Sequence, residues 1–158
     1  MSGVVEKTLR LTASPERVWN ALTDPMELRQ WFPEDAELDP RPGSAGWFEW
    51  TDHGRFSVRI EEMEPPVRLV WTWAREPGVA LDEGHRTTVE WTLTRRDDGG
   101  TTLRVRESGF ADRKHRDQND AGWDEELDEL VQHLEEDPVS RARPTEGRKA
   151  GSRPRPRR

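Results

Sequence analysis

Apolar and polar residues alternate singly along most of this chain, but near the start and again from residue 123 the apolar spacing becomes three to four. Single alternation puts apolar side chains on one face of a strand; the longer spacing puts them on one face of a helix. Leu9 and Leu11 alternate with Thr8, Arg10 and Thr12, which predicts a first strand. Ser14-Pro15-Glu16 then supplies an N-cap, a proline suited to the first helical position and an acid in the first turn, with Val18, Trp19 and Leu22 following on one side. The device recurs at Asp24-Pro25-Met26-Glu27, where Leu28, Trp31 and Phe32 stand at i, i+3 and i+4 before Pro33 stops the helix. Two short helices are expected after strand one.

Six strand-like segments follow, at 36–38, 46–51, 55–62, 68–74, 86–95 and 101–108, separated by Gly, Pro and acidic turns. Phe56/Val58/Ile60, Leu69/Trp71/Trp73, Val89/Trp91/Leu93 and Leu103/Val105 are spaced by two, and Arg59, Thr87, Thr92, Thr94, Arg104 and Arg106 are assigned to the opposite face. One apolar and one wet face define an antiparallel sheet. After Gln118-Asn119-Asp120 the period turns helical, with a stripe of Trp123, Leu127, Leu130, Val131 and Leu134 that Pro138 ends. The order predicts an α+β fold: a curved antiparallel sheet of about six or seven strands wrapped around a long C-terminal helix, with two short helices after strand one and room for a pocket between helix and sheet.

Composition sharpens this picture. Only 31% of the 158 residues are apolar, yet eight Trp and four Phe bring large side chains to a modest core. The absence of Cys excludes disulfides, thiolate nucleophiles and Cys-ligated metal centres. No signal-like or long apolar run is seen, so a cytoplasmic protein without a membrane span is expected. Residues 139–158 carry eight Lys/Arg and one Glu, a balance of +7, which against a net −7 for the chain leaves −14 for residues 1–138. The expected organisation is one domain over 1–137 and a disordered basic Arg/Pro-rich tail over 138–158. Nucleic acid could be reached only through that tail, because affinity for phosphates comes from clustered positive charge and the body is acidic.

The stretch from Ala13 to Phe32, ASPERVWNALTDPMELRQWF, resembles the START-like, or SRPBCC, superfamily, in the branch named for the heat-shock protein 90 ATPase activator homologue. The segments 64–73, Glu107-Ser108-Gly109-Phe110 and 122–130, where Gly-Trp opens the last helix in relatives, carry the same resemblance, which spans about Val4 to Leu134. It implies the helix-grip fold, in which the sheet wraps the C-terminal helix around a cavity that holds lipids, polyketides or other apolar molecules in various relatives. Two departures stand out: Gly43-Ser44-Ala45-Gly46 spreads a glycine pair that relatives place together, and the extra N-terminal domain of the eukaryotic co-chaperones has no match here.

The chemistry-bearing residues are few. His53, His85, His115 and His133, expected on a turn, two loops and the last helix, have no metal-ligand spacing, so neither a metal nor a cofactor is expected. Glu125, Glu126, Asp128, Glu129, Glu135 and Glu136 fall off the apolar stripe of the last helix and read as a solvated face. Alternation extends Leu69/Trp71/Trp73 to Arg75 and Leu103/Val105 to Glu107, which places two charges on the inner face as candidate polar handles, unless they sit where the strands flare into solvent or pair with each other. Trp50, Phe56, Trp71, Trp73, Trp91 and Trp123 are the candidate aromatic walls, or else they simply fill the core.

Three readings stay open. The first is a non-catalytic binder of a small hydrophobic or aromatic molecule, using the six rings with Arg75 and Glu107. The second is a protein-interaction or co-chaperone-like module, acting on a chaperone or through the tail on an acidic partner. The third is a cyclase- or hydrolase-type enzyme, which would have to draw on Glu107, Arg75 or a histidine, since the chain has neither Tyr nor Cys.

Overall fold

The computed structural model describes residues 3–136; the segment 138–158, expected as a disordered tail, lies outside the described residues. Seven strands form one antiparallel sheet: β1 (Val5–Leu11), β2 (Asp35–Glu37), β3 (Ala45–Trp50), β4 (Gly54–Glu64), β5 (Arg68–Ala74), β6 (Arg86–Arg95) and β7 (Thr101–Ser108). Their spatial order is β1-β7-β6-β5-β4-β3-β2, so the first strand and the second close opposite edges. The helices α1 (Pro15–Thr23) and α2 (Pro25–Trp31) make the crossing between those edges, and α3 (Arg113–Glu135) completes the helix-grip arrangement.

The caps act as their residue types require. The Ser14 and Asp24 side chains accept the backbone N–H groups of Arg17 and Met26, and Pro15 and Pro25 open the two helices. Each such cap is worth about 1 kcal/mol, enough to matter in helices this short. Strand β3 can approach β2 only because residue 46 is glycine: a Cβ there would lie 2.0 Å from the Glu37 carbonyl oxygen. Such an approach is one that only glycine permits.

Val58, Ile60, Leu69, Trp71, Val89, Trp91, Leu93, Leu103 and Val105 are buried on the inner face of the sheet, where alternation put them. Trp123, Leu127, Leu130 and Leu134 of α3 cover that face. Nine aromatic rings are joined through the core, with Phe32 as their hub: it stacks on Trp31 at 4.9 Å and on Trp123 at 5.7 Å, and meets Phe48 and Trp50 edge-on at 5.5 and 5.4 Å. Stacked and edge-on rings at these separations each add about 0.5–1.5 kcal/mol beyond the area they bury.

Four expectations are corrected. Helix α3 starts at Arg113, not after Asp120, so Gly122 and Trp123 sit in its third turn instead of opening it. Its first turns are wholly polar and leave no apolar period to read, while Asp112 caps them by accepting the His115 backbone N–H at 2.8 Å. His115 accordingly lies on this helix and not in a loop. Thr87 is buried on the inner face, as its spacing of two from Val89 demands. Glu126 is 5% exposed and does not belong to the solvated face, because it stands one turn beyond Trp123 and points with it toward the sheet.

Candidate functional site

Between α3 and the inner face of β4–β6 the structure leaves a cleft of about 240 Å³. Its aromatic walls are Phe32, from the end of α2, Trp50 and Phe56, from the β3–β4 hairpin, Trp73 of β5 and Trp123 of α3. Trp73 and Trp123 stack on each other at 5.8 Å with 26° between their planes. Along α3 the lining residues include His115, Asn119, Gly122 and Glu126, spaced by four, three and four, which is one face of a helix. Arg75, just beyond β5, with His53, Thr87 and Gln118, completes the polar part of the lining.

Glu107 stands behind these walls. It is fully buried, and its carboxyl oxygens accept from four side chains on three elements: the indole N–H of Trp73 at 2.9 Å, the indole N–H of Trp123 at 2.8 Å, the Asn119 amide at 3.1 Å and the Thr87 hydroxyl. The sheet register explains the gathering, since Trp73 lies opposite Thr87 and Glu107 is the partner of Val89, two residues along β6. A buried acid is tolerable only with such a donor set. Its effect is to fix the orientation of both stacked indoles, one from the sheet and one from the helix.

Arg75 and Glu107 do not pair with each other: the ion pair of Arg75 among the described residues is to Asp112, at 3.9 Å. The His115 ring is 5% exposed, edge-on to Phe110 at 5.0 Å, with Nδ1 buried and lacking a hydrogen-bond partner. Burial first, and then the Arg75 charge, hold its imidazole below the ordinary value of 6.5. Asp112 is held low by the His115 backbone N–H it accepts and by the Arg75 charge.

Of the eight candidate residues, Trp50, Phe56, Trp73, Arg75 and Trp123 line the cleft together. Trp71 and Trp91 are fully buried in the core beneath it, and Glu107 is sealed behind its wall. Phe32, Thr87, His115, Asn119, Gly122 and Glu126 line the cleft too, and of these the sequence offers only His115, as one of the histidines open to an enzyme. The 4-3-4 spacing of the last four is a helical signal, masked because the first turns of α3 carry no apolar period. No group of three or more His, Asp or Glu able to hold a metal ion occurs among the described residues, and no helix among them is long and apolar enough to cross a membrane.

A curved antiparallel sheet gripping a C-terminal helix, with an aromatic cleft between them, defines a START-like domain. More narrowly, the chain belongs to the family of Activator of Hsp90 ATPase homolog 1-like proteins, whose family model matches residues 12–135. Among solved structures it is similar to protein MLL2253 from Mesorhizobium loti, with 26% identity and a TM-score of 0.76 over 85% of this chain and 98% of that one. It is also similar to DynU16, a protein in the dynemicin biosynthetic locus, with 29% identity and a TM-score of 0.70 over 84% of this chain and 47% of that one. The Aha1 dimer from Colwellia psychrerythraea shares the fold, with a TM-score of 0.72 at 21% identity over 84% of this chain and 96% of that one. Comparison with curated proteins gives no match.

Proposed function

We propose that this protein binds a small, flat aromatic molecule in the cleft between α3 and the sheet and does not transform it. The observation that carries this reading is the wall itself: five aromatic rings, two of them stacked on each other, face about 240 Å³ of open space, with the polar groups set around them. Rigid rings with a few polar groups suit a flat apolar ligand, and a space below the roughly 300–1,000 Å³ of drug-sized sites suits one of about two fused rings. The non-catalytic part is supported by Glu107, the acid the strand alternation places inside, which does not line the cleft and whose oxygens are occupied by four donors. General acid–base work needs a group within reach of the substrate proton. The similarity to a protein of a natural-product biosynthetic locus agrees with a small-molecule ligand.

Native mass spectrometry of protein purified gently from its own host tests the reading. A small-molecule adduct lost on denaturation is the expected result. Protein that carries no adduct and whose tryptophan fluorescence responds to no aromatic probe would overturn it, and would favour the protein-interaction reading suggested by the family's description.

A further inference from the structure

The polar groups of the cleft are not spread evenly around its wall. Arg75 and His115 belong to one region of the lining, at the first turn of α3, whereas Glu126 lies eleven residues further along that helix. At 1.5 Å per residue this is about 16 Å along the axis. Glu107, the other acid nearby, is fully buried, and its oxygens take up four donors, two of them the indoles it orients. Among the described residues the ion pair of Arg75 is to Asp112, which does not line the cleft.

Arg75 is also loosely held. Arg17, Arg55 and Arg68 each have a carboxylate oxygen within 3.0 Å, whereas the ion pair of Arg75 among the described residues is at 3.9 Å, to Asp112 outside the cleft lining. Its side chain is 27% exposed, so the guanidinium is neither buried in the core nor free in bulk water. Beside it, His115 contributes a nine-tenths buried ring whose Nδ1 has no hydrogen-bond partner. A planar guanidinium at the end of an aromatic slot matches a planar carboxylate attached to an aromatic ring, because both oxygens can be taken in a bidentate fork while the ring stays between the walls.

We propose that the cleft selects aromatic acids, with the carboxylate received by Arg75 beside His115 and the ring system held among Phe56, Trp73 and Trp123. This rests on the aromatic-ligand reading above and narrows it to a chemical class. The chain as a whole is acidic, with a net charge of −7, so anion binding here comes from the local arrangement and not from a general attraction.

The test compares 1-naphthoate with its neutral counterpart 1-naphthalenemethanol, both titrated at neutral pH by calorimetry and by quenching of tryptophan fluorescence. The expected result is naphthoate binding at least about tenfold more tightly, the scale of one charge-assisted hydrogen bond. Arg75→Gln should remove most of that preference, and Arg75→Lys should restore part of it. Equal affinity for the two probes would overturn acid selection and leave the aromatic-ligand reading standing. Binding of neither probe would overturn both. A preference that survives in Arg75→Gln would overturn the assignment to Arg75. Because Arg75 also pairs with Asp112 at the α3 cap, circular dichroism and the urea midpoint of each variant check the fold.

Discussion

Glu107 is the residue on which the shape of the cleft depends. Two indole N–H groups, an amide and a hydroxyl converge on its two oxygens. Replacing one oxygen with an NH2 turns at least one of these contacts into donor facing donor. Glu107→Gln should therefore cost about 1–3 kcal/mol, and Glu107→Leu, which strands all four donors, clearly more. Urea midpoints measure this, and near-ultraviolet circular dichroism reports whether Trp73 and Trp123 lose their fixed orientation; an unchanged midpoint in Glu107→Gln would show that the indoles do not depend on the carboxyl group. His115 makes a second prediction. Its folded pKa lies below the unfolded value of 6.5 because of burial and Arg75, against a smaller opposing pull from Asp112, with His85 adding to the depression. Between the two values the unfolded chain holds a proton that the folded chain does not, so stability is full above pH 6.5 and falls as pH drops through that window. In His115→Gln this part of the slope should vanish from urea midpoints collected between about pH 8 and pH 5.5. Strand alternation places Glu107 and its donor Trp73 inside and the helical stripe adds Trp123, but it puts Thr87 on the opposite face, and Asn119 carries no apolar signal.

Among the elements, α3 does two jobs with two faces. Trp123, Leu127, Leu130 and Leu134 cover the sheet, while His115, Asn119, Gly122 and Glu126 line the cleft. Gly122 is where the two requirements meet, since a Cβ added there would touch nothing within 4 Å. A mid-helix glycine sacrifices about 0.5–1 kcal/mol relative to alanine, so Gly122→Ala should raise the urea midpoint. Gly122→Leu, carrying its bulk into the same open space, should weaken naphthalene-probe binding while the protein stays folded; undiminished probe affinity would mean that the ligand sits elsewhere. Elements whose interior side chains repeat strictly were legible in the sequence, and β5, β6 and β7 run over the residues their alternation marked. The β3 and β4 limits moved by one or two residues, and β4 carries a bulge between Ile60 and Glu62 that the alternation does not encode. The beginning of α3 was illegible for a different reason: a helix turn that borders a cleft has no need of apolar residues, so its polar face looked like a loop. The cleft was hidden by the same property that creates it.

For the whole molecule, the uneven charge raises the question of what residues 139–158 contribute to the folded body. The core is closed by residue 134: Leu134 is the last buried apolar side chain among the described residues, and the sheet, both short helices and α3 are complete by Glu135. Stability follows buried apolar area, and the final twenty residues contain two Ala and one Val as their only aliphatic side chains. Their removal should leave the melting temperature unchanged within about 2 °C, a shift too small to signal a lost core contact in a domain of this size. It should also leave the affinity for naphthoate intact, since every lining residue lies between 32 and 126. What must change is the electrostatics, because eight basic residues and one acid leave together and the net charge moves from −7 to −14. The shortened chain should elute later from an anion exchanger, and any partner held through the basic segment should be lost with it. A large fall in melting temperature on this deletion would mean that the segment docks on the acidic body, and salt would then separate the causes: contacts between a +7 segment and a −14 body weaken as ions screen them, whereas apolar docking does not.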